Sequence, residues 1–172
     1  MIRPIITVPH ATLLKKAVPI KVFDKKLLAL VQDMTDTLLV QKDPIGVGLS
    51  APQIDVLMRV CIIRADEDTP ARALVNPRII KSVQGRASRK PLLEGCLSIP
   101  RIWGYVLRPE KVHVEYEDLS GKTHSEVFTG FDSIVVQHEI DHLDGILFTL
   151  HTLSQGYQLY KEFDGELEPY AL

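Results

Sequence analysis

The segment His138-Glu139-Ile140-Asp141-His142 places the strongest constraint on how this chain can fold. Its two histidines are four residues apart, and on an α-helix residues at that spacing project from one face. Ile134 and Val135 continue the same helical period, which predicts a helix from about Asp132, and Gly145 is well placed to end it. Two imidazoles on one helical face can chelate a single metal ion.

Glu139 is the residue of this segment that can move a proton. It cannot point the same way as both histidines, but it can reach a water in the open position of a bound ion. A surface helix with coincidental histidines would match this pattern in about one in a hundred sequences of this length and composition. We therefore favour a metal site over a surface helix.

A hydrolytic metal site commonly has three protein ligands and one exchangeable water, so a third ligand is expected. His151 is the only histidine downstream, and the glycine-containing spacer of the metzincin pattern is missing, so we interpret His151 as a surface residue. Upstream, Cys96 follows Gly95, which lets backbone approach closely, and a thiolate binds divalent ions strongly. Cys96 is the leading candidate, whereas Cys61, inside an apolar run, is interpreted as a buried apolar residue.

Length, composition and charge narrow the class of protein. A chain of 172 residues can form one domain, and 45% hydrophobic with 24% charged residues is typical of globular proteins. The formal charge of −2 argues against a nucleic-acid partner or an anionic membrane surface. We see neither a signal peptide nor an apolar run of the ~18 residues that span a membrane, and we expect an intracellular protein in which Cys96 stays reduced.

Periodicity along the chain predicts the other elements. Asp24 can cap a helix that carries Leu27, Val31, Met34 and Leu38 on one face. Residues 60–64 and 71–75 predict a strand pair joined by an acidic turn at 66–70, and residues 112–127 predict a hairpin turned at 120–121. Residues 46–53 are predicted to form a loop, and the tail from 154 to 172 to lack a long helix. We expect a single α+β domain over residues 1–172, with antiparallel strands packed around a central metal-binding helix.

Three ordered segments of the chain resemble the motifs of peptide deformylases. They are Gly46-Val47-Gly48-Leu49-Ser50-Ala51-Pro52-Gln53, then Glu94-Gly95-Cys96-Leu97-Ser98, then Gln137-His138-Glu139-Ile140-Asp141-His142-Leu143-Asp144-Gly145. The resemblance spans most of the chain. Ser50 stands where the family usually has alanine, and the short tail replaces the longer basic helix of many bacterial members.

The resemblance implies removal of the N-formyl group from the formyl-methionine of new polypeptides, with release of formate. It implies one divalent metal ion held by Cys96, His138 and His142, with Fe²⁺ in the cell and Zn²⁺, Ni²⁺ or Co²⁺ able to occupy the same site. The implied partners are N-formylmethionyl nascent peptides near the ribosome. The implied location is the cytoplasm of a bacterium or of a phage-infected cell, or an organelle if the source is eukaryotic.

The resemblance also assigns roles around the reacting carbonyl. Glu139 would act as general base and acid, while the side-chain amide of Gln53 and the backbone N–H of Leu97 would donate to the developing oxyanion. The extended substrate would be held by backbone hydrogen bonds at Val47, Gly48 and Gly95. The apolar pocket for the methionine side chain is predicted at Phe131, Ile134 and Val135, for each of which an ordinary core position is the alternative.

Several neighbours of these motifs have weaker assignments. Glu94 and Gln137 adjoin the ligands, and we expect them to orient a metal-bound histidine or the Cys96 segment. Arg108 could pair with a carboxylate near the site, although a solvated surface arginine is the more common outcome. Trp103 could flank the substrate groove or act as a core or edge anchor.

Three alternative functions use the same residues differently. A zinc endopeptidase would need Glu139 and both histidines but neither Cys96 nor Gln53. A binding protein descended from such an enzyme would have lost part of its catalytic centre, and every proposed ligand is present here. A purely structural metal site favours four protein ligands, and no fourth cysteine or histidine lies close in sequence.

Overall fold

Three α-helices and nine strands form within residues 1–64, 66, 68–83 and 90–171, the part of the chain that the computed structural model describes. The helices are α1 (Lys25–Leu39), α2 (Gly130–Leu143) and α3 (Phe148–Ser154). The strands are β1 (Gly48–Ser50), β2 (Val60–Ile63), β3 (Arg72–Val83), β4 (Leu92–Cys96), β5 (Ile99–Val106), β6 (Lys111–Glu117), β7 (Thr123–Thr129), β8 (Leu159–Phe163) and β9 (Glu166–Tyr170). Two 3₁₀ helices cover Ala11–Leu14 and Ala51–Ile54.

The strands form two antiparallel sheets. The five-stranded sheet has the order β1-β2-β3-β6-β7, and the four-stranded sheet has the order β4-β5-β8-β9. The predicted strand pair is confirmed as β2 with the first part of β3, in a register that sets Val60 opposite Val75. The predicted hairpin is confirmed as β6 and β7. The acidic turn at 66–70 includes Glu67, which lies outside the described residues.

The core lies on both faces of the five-stranded sheet. Successive side chains of a strand point to opposite faces, so Cys61 and Ile63 of β2 pack with α2 while Val60 and Ile62 pack with α1. This double burial explains why β2 is apolar without interruption. Cys61 has no solvent exposure and no disulfide partner, as its interpretation as an apolar core residue requires.

Helix α1 begins and packs as its sequence predicts. The Asp24 carboxylate caps it by accepting from the backbone N–H groups of Lys26 at 2.9 Å and Leu27 at 3.1 Å. Its four apolar stripe residues are all buried against the sheet: Leu27, Val31, Met34 and Leu38. Residues three and four positions apart therefore form the buried face of the helix, as the sequence period predicts.

Helix α2 is central, since it contacts every strand of the five-stranded sheet. It buries Val136, Ile140 and Leu143 completely or nearly so. Gly145, with a φ of 73°, follows its last turn in the left-handed conformation that ends many helices. The predicted α+β fold, with antiparallel strands around a central helix, is confirmed.

Two predictions about irregular segments need correction. Residues 46–53 are not a loop, because Gly48, Leu49 and Ser50 pair with β2 and a 3₁₀ helix follows. The tail has no long helix after Ser154, but it forms the β8–β9 hairpin, which completes the second sheet through β5. β1 has only three residues, too few to show a strand pattern in the sequence. In the tail, Asp164-Gly165 forms the turn between β8 and β9, a hairpin signal that was available in the sequence, whereas the pairing of β8 with β5 was not.

Within the described residues, no helix is both long and apolar enough to cross a membrane.

Substituting Gly145 by alanine should destabilise the protein more than substituting Gly156. Both glycines have a positive φ, of 73° and 79°, which costs an L-residue roughly 1–2 kcal/mol. A Cβ on Gly145 would lie 2.7 Å from the Leu14 carbonyl oxygen, whereas a Cβ on Gly156 meets no described atom within 4 Å. Gly145→Ala should therefore lower the free energy of unfolding, measured by urea titration, by about 1–3 kcal/mol more than Gly156→Ala. Equal losses in the two variants would contradict the close packing of the α2 terminus on Leu14.

Candidate metal centre and active site

Cys96, His138 and His142 come together although one lies at the end of β4 and two lie on α2. Their ligand atoms are all within 4.8 Å of one another, and Cys96 Sγ is 3.1 Å from His142 Nε2. Cys96 is 7% exposed, His142 is 1% exposed and the His138 side chain is 12% exposed, so little of the cluster is accessible to solvent. One thiolate and two imidazoles are a donor set that suits a divalent transition metal such as Zn²⁺ or Fe²⁺. The three residues fit the metal that the family resemblance implies.

The environment of Cys96 favours its thiolate. Burial works to raise the pKa of the thiol, but the charge of His142 and hydrogen bonding from His138 and His142 outweigh it and lower the pKa to about 5. The thiolate is the form of cysteine that binds metals. The two histidines therefore also prepare the third ligand.

Glu94 orients His138 from the side away from the cluster. Its Oε2 lies 3.1 Å from His138 Nδ1, which leaves Nε2 of that ring for a ligand. Arg108 donates to both oxygens of Glu94, at 2.6 and 3.0 Å, and to Asp141 Oδ2 at 2.8 Å. His151 Nε2 lies 2.9 Å from the same Asp141 oxygen. A continuous network of charged groups thus supports one ligand.

The contacts around the site decide between the two alternatives left open for Arg108 and correct the interpretations of His151 and Gln137. Arg108 is 8% exposed rather than a solvated surface residue. His151 is half-buried against Asp141 rather than a free surface residue. Gln137 does not orient a ligand, because its amide donates to the backbone oxygens of Pro109 at 3.0 Å and Ser133 at 2.7 Å. The Gln137–Ser133 bond lies within α2 at four-residue spacing. The other pairings join different elements of the fold, so sequence spacing could not show them.

The carboxylate of Glu139 is held by a residue from β1. Ser50 Oγ lies 2.6 Å from Glu139 Oε2 and 2.9 Å from the Glu139 backbone oxygen. Burial raises the pKa of Glu139 above its usual range, although His138, His142 and the Ser50 hydrogen bond favour its charged form. A Cβ added to Gly48 would overlap the Glu139 carboxylate, so the glycine allows this close approach.

Gln53 points its amide nitrogen toward the cysteine. Its Oε1 accepts from the backbone N–H of Ser50 at 2.8 Å, which fixes the orientation of the amide group. Its Nε2 then lies 3.2 Å from Ser98 Oγ and 3.6 Å from Cys96 Sγ. Gln53 is buried, and its N–H₂ group is a donor directed at the cluster.

A cleft of about 400 Å³ opens above these residues. Of the twelve residues assigned from sequence, all except His142 line it, namely Val47, Gly48, Gln53, Gly95, Cys96, Leu97, Phe131, Ile134, Val135, His138 and Glu139. His142 lies beneath the surface of the cleft. Val135 also belongs to the core cluster under α2, whereas the Phe131 side chain is 55% exposed.

Sequence reasoning missed four apolar residues of the cleft: Pro44, Ile45, Leu92 and Leu93. Leu92 and Leu93 are large hydrophobic residues that remain exposed at the start of β4. An apolar pair directly before the Glu94 segment was the available signal. Trp103, which we considered as a flank of the groove, does line the cleft.

Replacing Ser50 by alanine should lower stability because a buried acceptor loses its donor. We expect Ser50→Ala to reduce the free energy of unfolding by about 1–3 kcal/mol in urea titrations. Ser125→Ala, at an exposed position of β7, is the matched control and should change it by less than about 0.5 kcal/mol. Similar decreases in the free energy of unfolding of both variants would show that the Ser50–Glu139 hydrogen bond contributes nothing to stability.

Comparison with known proteins identifies the family. A profile of the polypeptide deformylase family matches residues 2–156. A peptide deformylase of Desulfotalea psychrophila is 37% identical over 162 residues, which covers 92% of each chain. The crystal structure of a peptide deformylase from Legionella pneumophila superposes with a TM-score of 0.80 and 39% identity, over 88% of this chain and 86% of that one. A class I type b peptide deformylase from Acinetobacter baumannii with Met-Ala-Ser bound gives a TM-score of 0.77 and 35% identity, over 88% and 98% of the two chains. The chain therefore belongs to the peptide deformylase family.

Proposed function

We propose that this protein hydrolyses the formyl amide at the N-terminal formyl-methionine of newly made polypeptides, giving formate and a free α-amine. The observation that carries the proposal is the convergence of Cys96, His138 and His142 beside the buried carboxylate of Glu139, at a cleft that all of these residues except His142 line. Membership of the family supports the choice of substrate. Residues 1–172 are proposed to act as one catalytic domain.

The proposed cofactor is one divalent metal ion held by Cys96, His138 and His142. Such an ion polarises a carbonyl group and lowers the pKa of a bound water to ~7. The family resemblance favours Fe²⁺ in the cell, with Zn²⁺, Ni²⁺ or Co²⁺ able to take the same place. The mixed sulfur and nitrogen donors are compatible with each of these ions.

Glu139 is proposed to move the proton. Its carboxylate faces the cleft and is held by Ser50, so it can accept a proton from the attacking water and return it to the departing amine. The raised pKa that burial gives this carboxyl makes it a stronger base than an exposed glutamate. Both halves of the reaction then use the same residue.

Gln53 and Leu97 are proposed to stabilise the negative charge that grows on the formyl oxygen. The Gln53 amide nitrogen is directed at the cluster, and both residues line the same cleft. Removing one such donor typically costs ~3 kcal/mol of transition-state stabilisation.

The strand order supports an extended substrate. β1 is the first strand of the five-stranded sheet and β4 is the first strand of the four-stranded sheet, so each leaves one edge unpaired within its sheet. Both strands contribute residues to the cleft, including Gly48 and Gly95. We propose that the peptide lies between these edges and bonds to the backbone at Val47, Gly48 and Gly95. The methionine side chain would contact Phe131, Ile134 and Val135.

The proposed partners are nascent N-formylmethionyl peptides near the ribosome, and no nucleic acid is a proposed partner. The proposed location is the cytoplasm of a bacterium or phage-infected cell, or an organelle of a eukaryote.

Glu139→Gln should strongly slow deformylation while leaving the metal in place. We expect formate release from a formyl-Met peptide to fall by about 10²–10⁴-fold, because the amide cannot accept the proton. The enzyme is purified anaerobically, its metal content is measured, and cleavage of an unformylated peptide is followed in parallel. Glu166→Gln on exposed β9 is the control. Undiminished formate release by Glu139→Gln would exclude this role, and peptide-bond cleavage by the wild type would favour an endopeptidase.

Cys96→Ala should lose metal, because the site would retain only two of its three ligands. We expect metal affinity to fall by at least about tenfold, measured by competition with a chelator. Cys61→Ala is the matched control, since Cys61 is also a buried free cysteine but packs in the core under α2. Full metal stoichiometry and unchanged affinity in Cys96→Ala would remove the thiolate from the proposed ligand set.

A further inference from the structure

The C-terminal hairpin, β8 and β9, lies beyond residue 156, where the match to the family profile ends. It adds to the four-stranded sheet at β5, with Tyr160 opposite Trp103. On its other side Trp103 is opposite Gly95 of β4. Tyr160, Trp103 and Gly95 therefore lie side by side on three adjacent strands, from the hairpin to β4, which borders the cleft.

The indole of Trp103 lies directly over the backbone of Gly95. A Cβ added to Gly95 would be 2.7 Å from Trp103 Cζ3 and 2.8 Å from Cε3, so the six-membered ring of the indole lies against that glycine. Trp103 is half-buried and lines the cleft. The ring therefore forms part of the cleft wall beside Gly95.

Glu162 of β8 is the group that holds this ring. Trp103 Nε1 donates to Glu162 Oε2 at 2.9 Å. Glu162 is two residues beyond Tyr160, so it is the diagonal cross-strand neighbour of Trp103 on the same face of the sheet. Because the indole N–H is its only hydrogen-bonding group, one acceptor at this place selects one orientation of the ring.

We propose that Glu162 is a positioning residue that holds Trp103 as a wall of the substrate groove, so that the C-terminal hairpin takes part in binding the residues after the methionine. This proposal rests on the proposed deformylase function. The metal ligand Cys96 marks the formyl end of the substrate, and the peptide leads away from it along β4. Gly95, under the Trp103 ring, is the first β4 residue in that direction.

The test compares substrates of different length in three variants. Glu162→Ala should raise KM for formyl-Met-Ala-Ser by about 3–10-fold with kcat within about twofold, because one hydrogen bond that holds the wall is lost. KM for formyl-Met amide, which ends before the wall, should stay unchanged. Glu162→Gln keeps an oxygen acceptor and should retain the wild-type KM. Glu168→Ala, on the adjacent strand and opposite Lys161, lies on the other face and is the matched control.

Fluorescence gives a second readout, since Trp103 is the only tryptophan of the chain. Glu162→Ala should shift the emission to longer wavelength and weaken the response to Met-Ala-Ser, whereas Glu162→Gln and Glu168→Ala should not. A normal KM for formyl-Met-Ala-Ser in Glu162→Ala, an equal rise for both substrates, or an unchanged emission would each overturn the proposal. If the wild type released no formate, the deformylase function would fail, while the binding of Met-Ala-Ser would still test the role of Glu162 separately.

Discussion

The packing of α2 against the five-stranded sheet is the constraint on which the site depends. Val136, Ile140 and Leu143 fix the rotation of the helix, because each is buried in the core under it. That rotation turns His138 and His142 toward β4, where Cys96 meets them. A helix free to rotate would keep its two histidines together but lose the thiolate, and with it the three-ligand geometry that a hydrolytic metal site requires.

The polar groups around the centre are themselves held by contacts between elements. Glu94 in β4 and Asp141 in α2 are bridged by the buried guanidinium of Arg108. Burying these charged groups costs free energy, because they are removed from water. Once the network has formed, however, removing one partner would leave an uncompensated buried charge, so its members are held in place. On the opposite side, Ser50 and Gly48 of β1 enclose the Glu139 carboxylate. The proposed ligand His138 and the proposed base Glu139 are thus positioned from two different sheets.

Where sequence reasoning succeeded, the interactions were local. The α1 stripe and its Asp24 cap follow from spacing, as do the β6–β7 hairpin and the His138–His142 pair on one helical face. Where it failed, either the strand was too short to show a pattern, as for the three residues of β1, or the deciding partner was distant, as for the tail, which pairs with β5. In the sequence, Ser50 was only a departure from the alanine usual in the family, whereas in the structure its hydroxyl donates to a carboxylate 89 residues away.

The sequence by itself determined the type of chemistry. It contains a histidine pair at helical spacing, a neighbouring glutamate and a cysteine beside a glycine, and few kinds of functional site use this combination. It also determined the family, through three motifs in order. Only the tertiary structure decided which charged residues are buried, where the hairpin after residue 156 attaches, and that Trp103 lies over Gly95. The physical reason is that helix period and capping act over a few residues. Burial and sheet pairing instead depend on segments that meet only when the whole chain has folded.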